Sequence, residues 1–194
     1  MSLGGTAAYA GEVDLPPLVD AAVALARALD FPLPCQPGQG RLLAALAGVR
    51  CGGVIGETGT GCGVGLAWMV TAAAPDTSFV SVELDVERAA ATAALFADLP
   101  NVRVLHASAF DLRAHAPFEL LVLDGGPGKR ADDDPIVPRQ WLRPGGTLVL
   151  DDFTFGRAVA DDPTRRHWFG HDDLQVTEVP VGNGMSTLVG YVTI

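Results

Sequence analysis

The chain has 194 residues, 48% of them hydrophobic, and a formal net charge of −10. That length fits one domain with a substantial core, and the acidic balance argues against a phosphate-backbone partner such as nucleic acid. Its longest apolar stretches are alanine-rich and broken by Arg27, Thr71 or Pro75, well short of the roughly 20 residues of a membrane span.

Residues 1–15 are small, polar and poorly patterned, and read as a loose tail. No cationic region precedes the first apolar segment, which carries Glu12 and Asp14, so no signal peptide and a cytoplasmic location are expected. Residues 16–48 read as N-terminal helices. Pro16-Pro17 suits a helix start, and Leu18, Ala21, Ala22, Leu25 and Leu29 recur at helical spacing. PLPCQPGQG is a proline and glycine loop, followed by a short helix over Arg41–Ala47. A first strand is predicted over Gly53–Glu57 and a helix over Cys62–Ala73. FVSVELD is a β-branched strand ending in two acids, Val86–Asp98 an alanine-rich helix and Asn101–His106 a third strand. Phe118–Asp124 is a continuous apolar run, the pattern of a central parallel strand buried on both faces. A helix near Pro135–Leu142, the turn RPGG and the strand TLVLDD follow. Arg157–Phe169 is helical in part, and LQVTEV and STLVGYVTI form an antiparallel hairpin around PVGNGM. The three cysteines, Cys35, Cys51 and Cys62, show neither a paired framework nor metal-ligand spacing.

The stretch with chemistry in it is Val54–Gly65, VIGETGTGCGVG. Apolar strand, glycine turn and helix are the layout of the first crossover in a doubly wound domain. A dinucleotide fingerprint requires G-x-G-x-x-G, and its third glycine would fall on Val64 or Leu66. A P-loop requires a lysine that is absent. What stands here is E-x-G-x-G-x-G, from Glu57 through Gly59, Gly61 and Gly63. Glu83 at the end of the second strand can accept ribose hydroxyls, with Asp85 as its rival. Asp124, Asp151 and Asp152 lie at the carboxyl ends of strands that neighbour each other in such a fold. Three carboxylates that close repel unless a cation or a proton intervenes, and hard oxygens suit Mg²⁺, Mn²⁺ or Ca²⁺. The alternatives are an ordinary strand-end acid for Asp124 and a turn cap for Asp152.

In order and spacing these pieces resemble class I S-adenosylmethionine-dependent methyltransferases, and within them the catechol and caffeoyl-coenzyme A O-methyltransferase group. PGQGRLLAAL, ETGTGCG, SVELD, LLVLDGG, RPGGTLVLDD and VPVGNGMSTL carry the resemblance, from Pro37 to Tyr191. It implies a single Rossmann-like domain over residues 1–194, with a seven-stranded, mostly parallel sheet, helices on both faces and a C-terminal antiparallel hairpin. It also implies S-adenosylmethionine as cofactor, with Glu57, Gly59, Gly61, Gly63, Glu83, Ser108, Ala109 and Asp124 around it. Asp124, Asp151 and Asp152 would hold a divalent cation such as Mg²⁺ that binds the acceptor, a phenol or neighbouring diol. The family's lysine three residues after the strand-four aspartate is replaced here by Pro127, so Lys129 becomes the candidate base beside Asp124. Gly65 stands where relatives often have serine. Metal-independent transfer to another O or N acceptor, a non-catalytic cofactor binder and a nicotinamide dehydrogenase stay as alternatives. The expected partner is a small molecule, with no nucleic acid and no membrane; a homodimer is left open.

Overall fold

A computed structural model describes residues 5–49, 52–125 and 136–193. Among these, seven strands form one sheet in the order β3-β2-β1-β4-β5-β7-β6. They are β1 Val54–Thr58, β2 Ser78–Glu83, β3 Val102–His106, β4 Phe118–Leu123, β5 Leu142–Thr154, β6 Leu174–Gly182 and β7 Met185–Val192. The β1, β2, β3, β4 and β5 pairings are parallel, and β7 runs antiparallel to both β5 and β6. The order reverses between β1 and β4, which opens a crevice at their carboxyl ends where ligands of open α/β sheets bind.

The apolar run in β4 explains why that strand is central. Leu120 and Val122 join one core, Leu121 and Leu123 the other, and all four are at most 1% exposed. The first core lies under α1 Pro17–Ala28, α2 Pro37–Gly48, α3 Val64–Ala72 and α4 Val86–Leu95. The second is covered by α5 Pro163–Phe169 and by 3-10 turns at Ala109–His115 and Pro138–Gln140, with Trp141 and Trp168 buried beneath. No helix among the described residues is long and apolar enough to cross a membrane.

Four expectations change. The N-terminal segment is not loose throughout: Gly5–Tyr9 is a 3-10 turn, and Tyr9 is buried. Its hydroxyl donates to the Cys35 carbonyl at 2.8 Å and accepts from Trp68 Nε1 at 3.2 Å, so one amphipathic ring ties the segment down. Among the described residues, the helix expected near Pro135–Leu142 is only the short turn Pro138–Gln140. RPGG belongs to β5, whose pairing with β4 jumps from Phe118–Leu142 to Leu120–Thr147 and absorbs the extra residues as a bulge. Finally, β2 ends at Glu83, because Asp85 becomes the N-cap of α4 and accepts from Arg88 N at 2.9 Å.

Candidate active site

The crevice between β1 and β4 holds a cavity of about 330 Å³, within the roughly 300–1,000 Å³ range of small-molecule sites. Its floor is the glycine loop after β1. Gly59 has φ +79°, and a Cβ there would lie 2.7 Å from Gly125 Cα, so only glycine lets the loop cross the end of β4. Gly61 has φ +55°, and a Cβ there would meet the Phe31 ring at 2.8 Å. The loop is tied back by Gly59 N and Thr60 N, which donate to the Val82 carbonyl at 2.9 and 3.2 Å. Gly63 caps α3 and packs on Thr92 and Phe96, away from the cavity wall.

Glu83 lines the cavity and is 5% exposed. Its Oε2 accepts from Gly61 N at 2.8 Å, and its Oε1 accepts from Asp85 N and Arg88 Nη2, each at 2.9 Å. Asp85 is not on the wall; its carboxyl is held below the usual range, chiefly by the Arg88 amide it caps. Ser108 and Ala109 line the far wall, whereas Phe110 does not. Ser108 also donates, through N at 2.9 Å and Oγ at 2.8 Å, to Asp111 at the start of its 3-10 turn.

Glu57 sits beneath the loop and does not line the cavity. It accepts from Ser81 Oγ at 2.5 Å, and Ser81 Oγ in turn lies 2.5 Å from Thr60 Oγ1. Burial pushes its carboxyl up to about 8, only partly opposed by the Ser81 hydrogen bond. Gly65 is packed over it: a Cβ there would come within 3.0 Å of Glu57 Oε1. The acid therefore braces the loop from below.

At the opposite rim are the three aspartates. One carboxylate oxygen from each of Asp124, Asp151 and Asp152 lies within 4.8 Å of the others. Consecutive strand residues face opposite ways, so Asp151 and Asp152 converge only because the chain leaves strand geometry. Asp152 has φ +69°, and the β5–β7 register slips between Leu150 and Phe153. Asp151 is buried, and its Oδ1 accepts from Asp152 N at 2.7 Å and Thr187 Oγ1 at 3.2 Å. Asp124 and Asp152 line the same cavity as Glu83.

A family model described as a methyltransferase domain matches residues 57–153, from the first acid of the glycine motif through the bulge on β5. The chain belongs to the methyltransferase-domain family. A Mycobacteroides abscessus protein, named only provisionally as an O-methyltransferase, is 27% identical over 148 residues, 72% of this chain and 68% of that protein. The O-methyltransferase TomG of Streptomyces achromogenes, solved with SAM, superposes with a TM-score of 0.76 at 24% identity. That likeness covers 96% of this chain and 94% of TomG. A Bacillus cereus O-methyltransferase in complex with SAH has the same TM-score at 18% identity, over 95% of this chain and 94% of that one. The fold of this methyltransferase is thus the Rossmann-like class I fold.

Two features of the methyltransferase cavity carry no clear sequence signal. The α1–α2 loop, read only as a proline and glycine loop, supplies Phe31, Leu33, Pro34 and Cys35 as a cover. Arg88, in an alanine-rich helix, reaches back to Glu83. Burial raises the Cys35 thiol well above its ordinary value, and Asp151 and Asp124 add to this. Just beyond it Gln36 and Gln39 are buried, and no protein group partners their side-chain amides. Lys129 and Pro127 lie outside the described residues. His106 is exposed, with its Nε2 3.1 Å from the Leu84 carbonyl, and is not on the cavity wall.

Proposed function

We propose that this methyltransferase moves the methyl group of S-adenosylmethionine onto an oxygen of a small-molecule acceptor, a phenol or neighbouring diol, with a divalent cation assisting. The observation that carries the reading is one cavity lined by Glu83 at the end of β2, by Gly59 and Gly61 in the middle, and by Asp124 and Asp152 after β4 and on β5. Glu83 accepts from the ribose, the glycine loop passes under the methionine part, and Ser108 and Ala109 flank the adenine. Glu57 acts from beneath by holding the loop in shape. The cover from Phe31 to Cys35 keeps water from the reacting atoms.

The aspartate trio fits a hard cation. Ions of this class hold oxygens at about 2.0–2.6 Å, so ligands around one ion are separated by no more than about 5 Å, and the trio meets that limit. Asp124, Asp151 and Asp152 would hold it, and a bound ion supplies Lewis-acid lowering of the acceptor hydroxyl's pKa. One observation favours metal-independent transfer instead: Asp151 Oδ1 already accepts two hydrogen bonds, as a purely structural acid would.

The test combines calorimetry and turnover. S-adenosylhomocysteine is expected to bind and NAD to give no heat; the reverse would defeat the cofactor reading. Methyl transfer to catechol is expected to stop on chelation and return with Mg²⁺ or Mn²⁺. Chelator-insensitive turnover would leave the metal-independent reading standing.

A further inference from the structure

Glu83 is more heavily engaged than a ribose acceptor standing alone. An ionised carboxylate offers about four lone-pair positions. Gly61 N takes one on Oε2, while Asp85 N and Arg88 Nη2 take two on Oε1. The position left over is on Oε2, the oxygen bonded to the glycine loop. Arg88 is itself held on three sides. Besides Glu83, its Nη1 lies 3.4 Å from Asp85 Oδ2 and its guanidinium sits 5.1 Å from the centroid of the Phe31 ring, while its Nε is buried with no protein partner. Phe31 in turn rests against Gly61. Arg88, Glu83, Phe31 and Gly61 all line the cavity, so one guanidinium joins the ribose carboxylate to the cover.

We infer that Arg88 is a positioning residue for cofactor recognition: it turns the Glu83 carboxylate so that Oε2 meets the ribose, and it pins Phe31 over the glycine loop. This rests on the reading of the cavity as an S-adenosylmethionine site. The physical reason lies in geometry. A carboxylate with one oxygen fixed by a guanidinium and an amide loses its freedom to rotate, so its remaining lone pair is aimed before the ligand arrives. The i,i+3 link to Asp85 and the cation–π contact with Phe31 do the same for the guanidinium. Arg88 acts through Glu83 and not by touching the reacting atoms.

The experiment is calorimetry of S-adenosylhomocysteine and its 2′-deoxyribose analogue on wild type, Arg88→Met, Glu83→Gln and the double variant. Arg88→Met retains the backbone amide that Asp85 caps, so α4 is expected to stay folded, and a thermal melt checks this. Arg88→Met is expected to weaken S-adenosylhomocysteine by at least about tenfold, the scale of a lost charge-assisted hydrogen bond. The analogue should weaken less, so that the preference for the 2′-hydroxyl falls toward the Glu83→Gln value. The double variant should be little worse than Glu83→Gln alone, and Arg88→Lys should recover part of the preference. An unchanged preference in Arg88→Met, or effects that add in full in the double variant, would overturn the inference while leaving the cofactor reading intact. A wild type that binds neither compound would overturn both.

Discussion

The two ends of the cavity are built differently. At the end proposed for the cofactor, Glu83 and the glycine loop are fixed by interactions within the protein, from Gly61 N on Glu83 to the Val82 carbonyl under the loop. Glu57 and Ser81 brace it from below. At the end proposed for the acceptor, acids from two strands are brought together by a backbone irregularity, the bulge that puts Asp152 at φ +69°. A positive φ costs a non-glycine residue about 1–3 kcal/mol. The contrast teaches that the first end is organised around neutral and anion-satisfying donors, and the second around concentrated negative charge. Substitutions should therefore separate cofactor affinity from turnover.

The largest effect is expected at the acceptor end. Asp124→Asn should lower methyl transfer by about 10²–10³-fold, the scale of removing a group that stabilises charge at the reacting centre. S-adenosylhomocysteine affinity should stay within a few-fold, as calorimetry on the same preparation would register. Equal losses in both would erase the distinction between the two ends.

Next is the brace. Because burial raises the Glu57 carboxyl from 4.5 to about 8, the folded state binds a proton between those values that the unfolded state has lost. Stability contributed at Glu57 is thus greatest below pH 4.5, falls as pH rises toward 8 and then levels off. Glu57→Gln removes that dependence. Denaturant melts should show the variant gaining on wild type by on the order of 2 kcal/mol or more between pH 5 and pH 8. A constant difference across that range would mean that Glu57 is ionised under the loop.

A smaller effect belongs to Glu83, the acid proposed to meet the ribose. Glu83→Ala should weaken S-adenosylhomocysteine by about 1–3 kcal/mol. Asp85→Ala, which removes the α4 cap and the half-exposed ion pair to Arg88, should weaken that affinity less than Glu83→Ala does and cost about 1 kcal/mol of stability. If Asp85→Ala weakens the cofactor and Glu83→Ala does not, the assignment at the end of β2 is inverted.

The frame of this molecule was legible in its sequence because its signals are local. The buried run in β4, the alternation of strands with helices and the PVGNGM hairpin each follow from residue type and period. The glycine spacing and the acids at Glu83, Asp124 and Asp151 were legible for the same reason, since strand ends in this topology face one crevice. What was not legible depends on tertiary packing. Phe31 covers the cavity only because α1 and α2 converge on α3, and its neighbours in sequence say nothing of that. Tyr9 docks because Trp68, far along the chain, needs an acceptor for its indole N–H. The convergence of Asp151 and Asp152 depends on a slip against β7, a strand that comes much later.

The central claim is that cofactor and cation share this cavity, with the aspartate trio as ligands. It is tested most directly by anomalous diffraction from crystals soaked with Mn²⁺ and S-adenosylhomocysteine. One Mn²⁺ peak bounded by Asp124, Asp151 and Asp152 is expected, with the cofactor's sulfur in the same cavity and its ribose against Glu83. Cofactor density in place with no Mn²⁺ peak, and the Asp152 side chain turned outward, would contradict it.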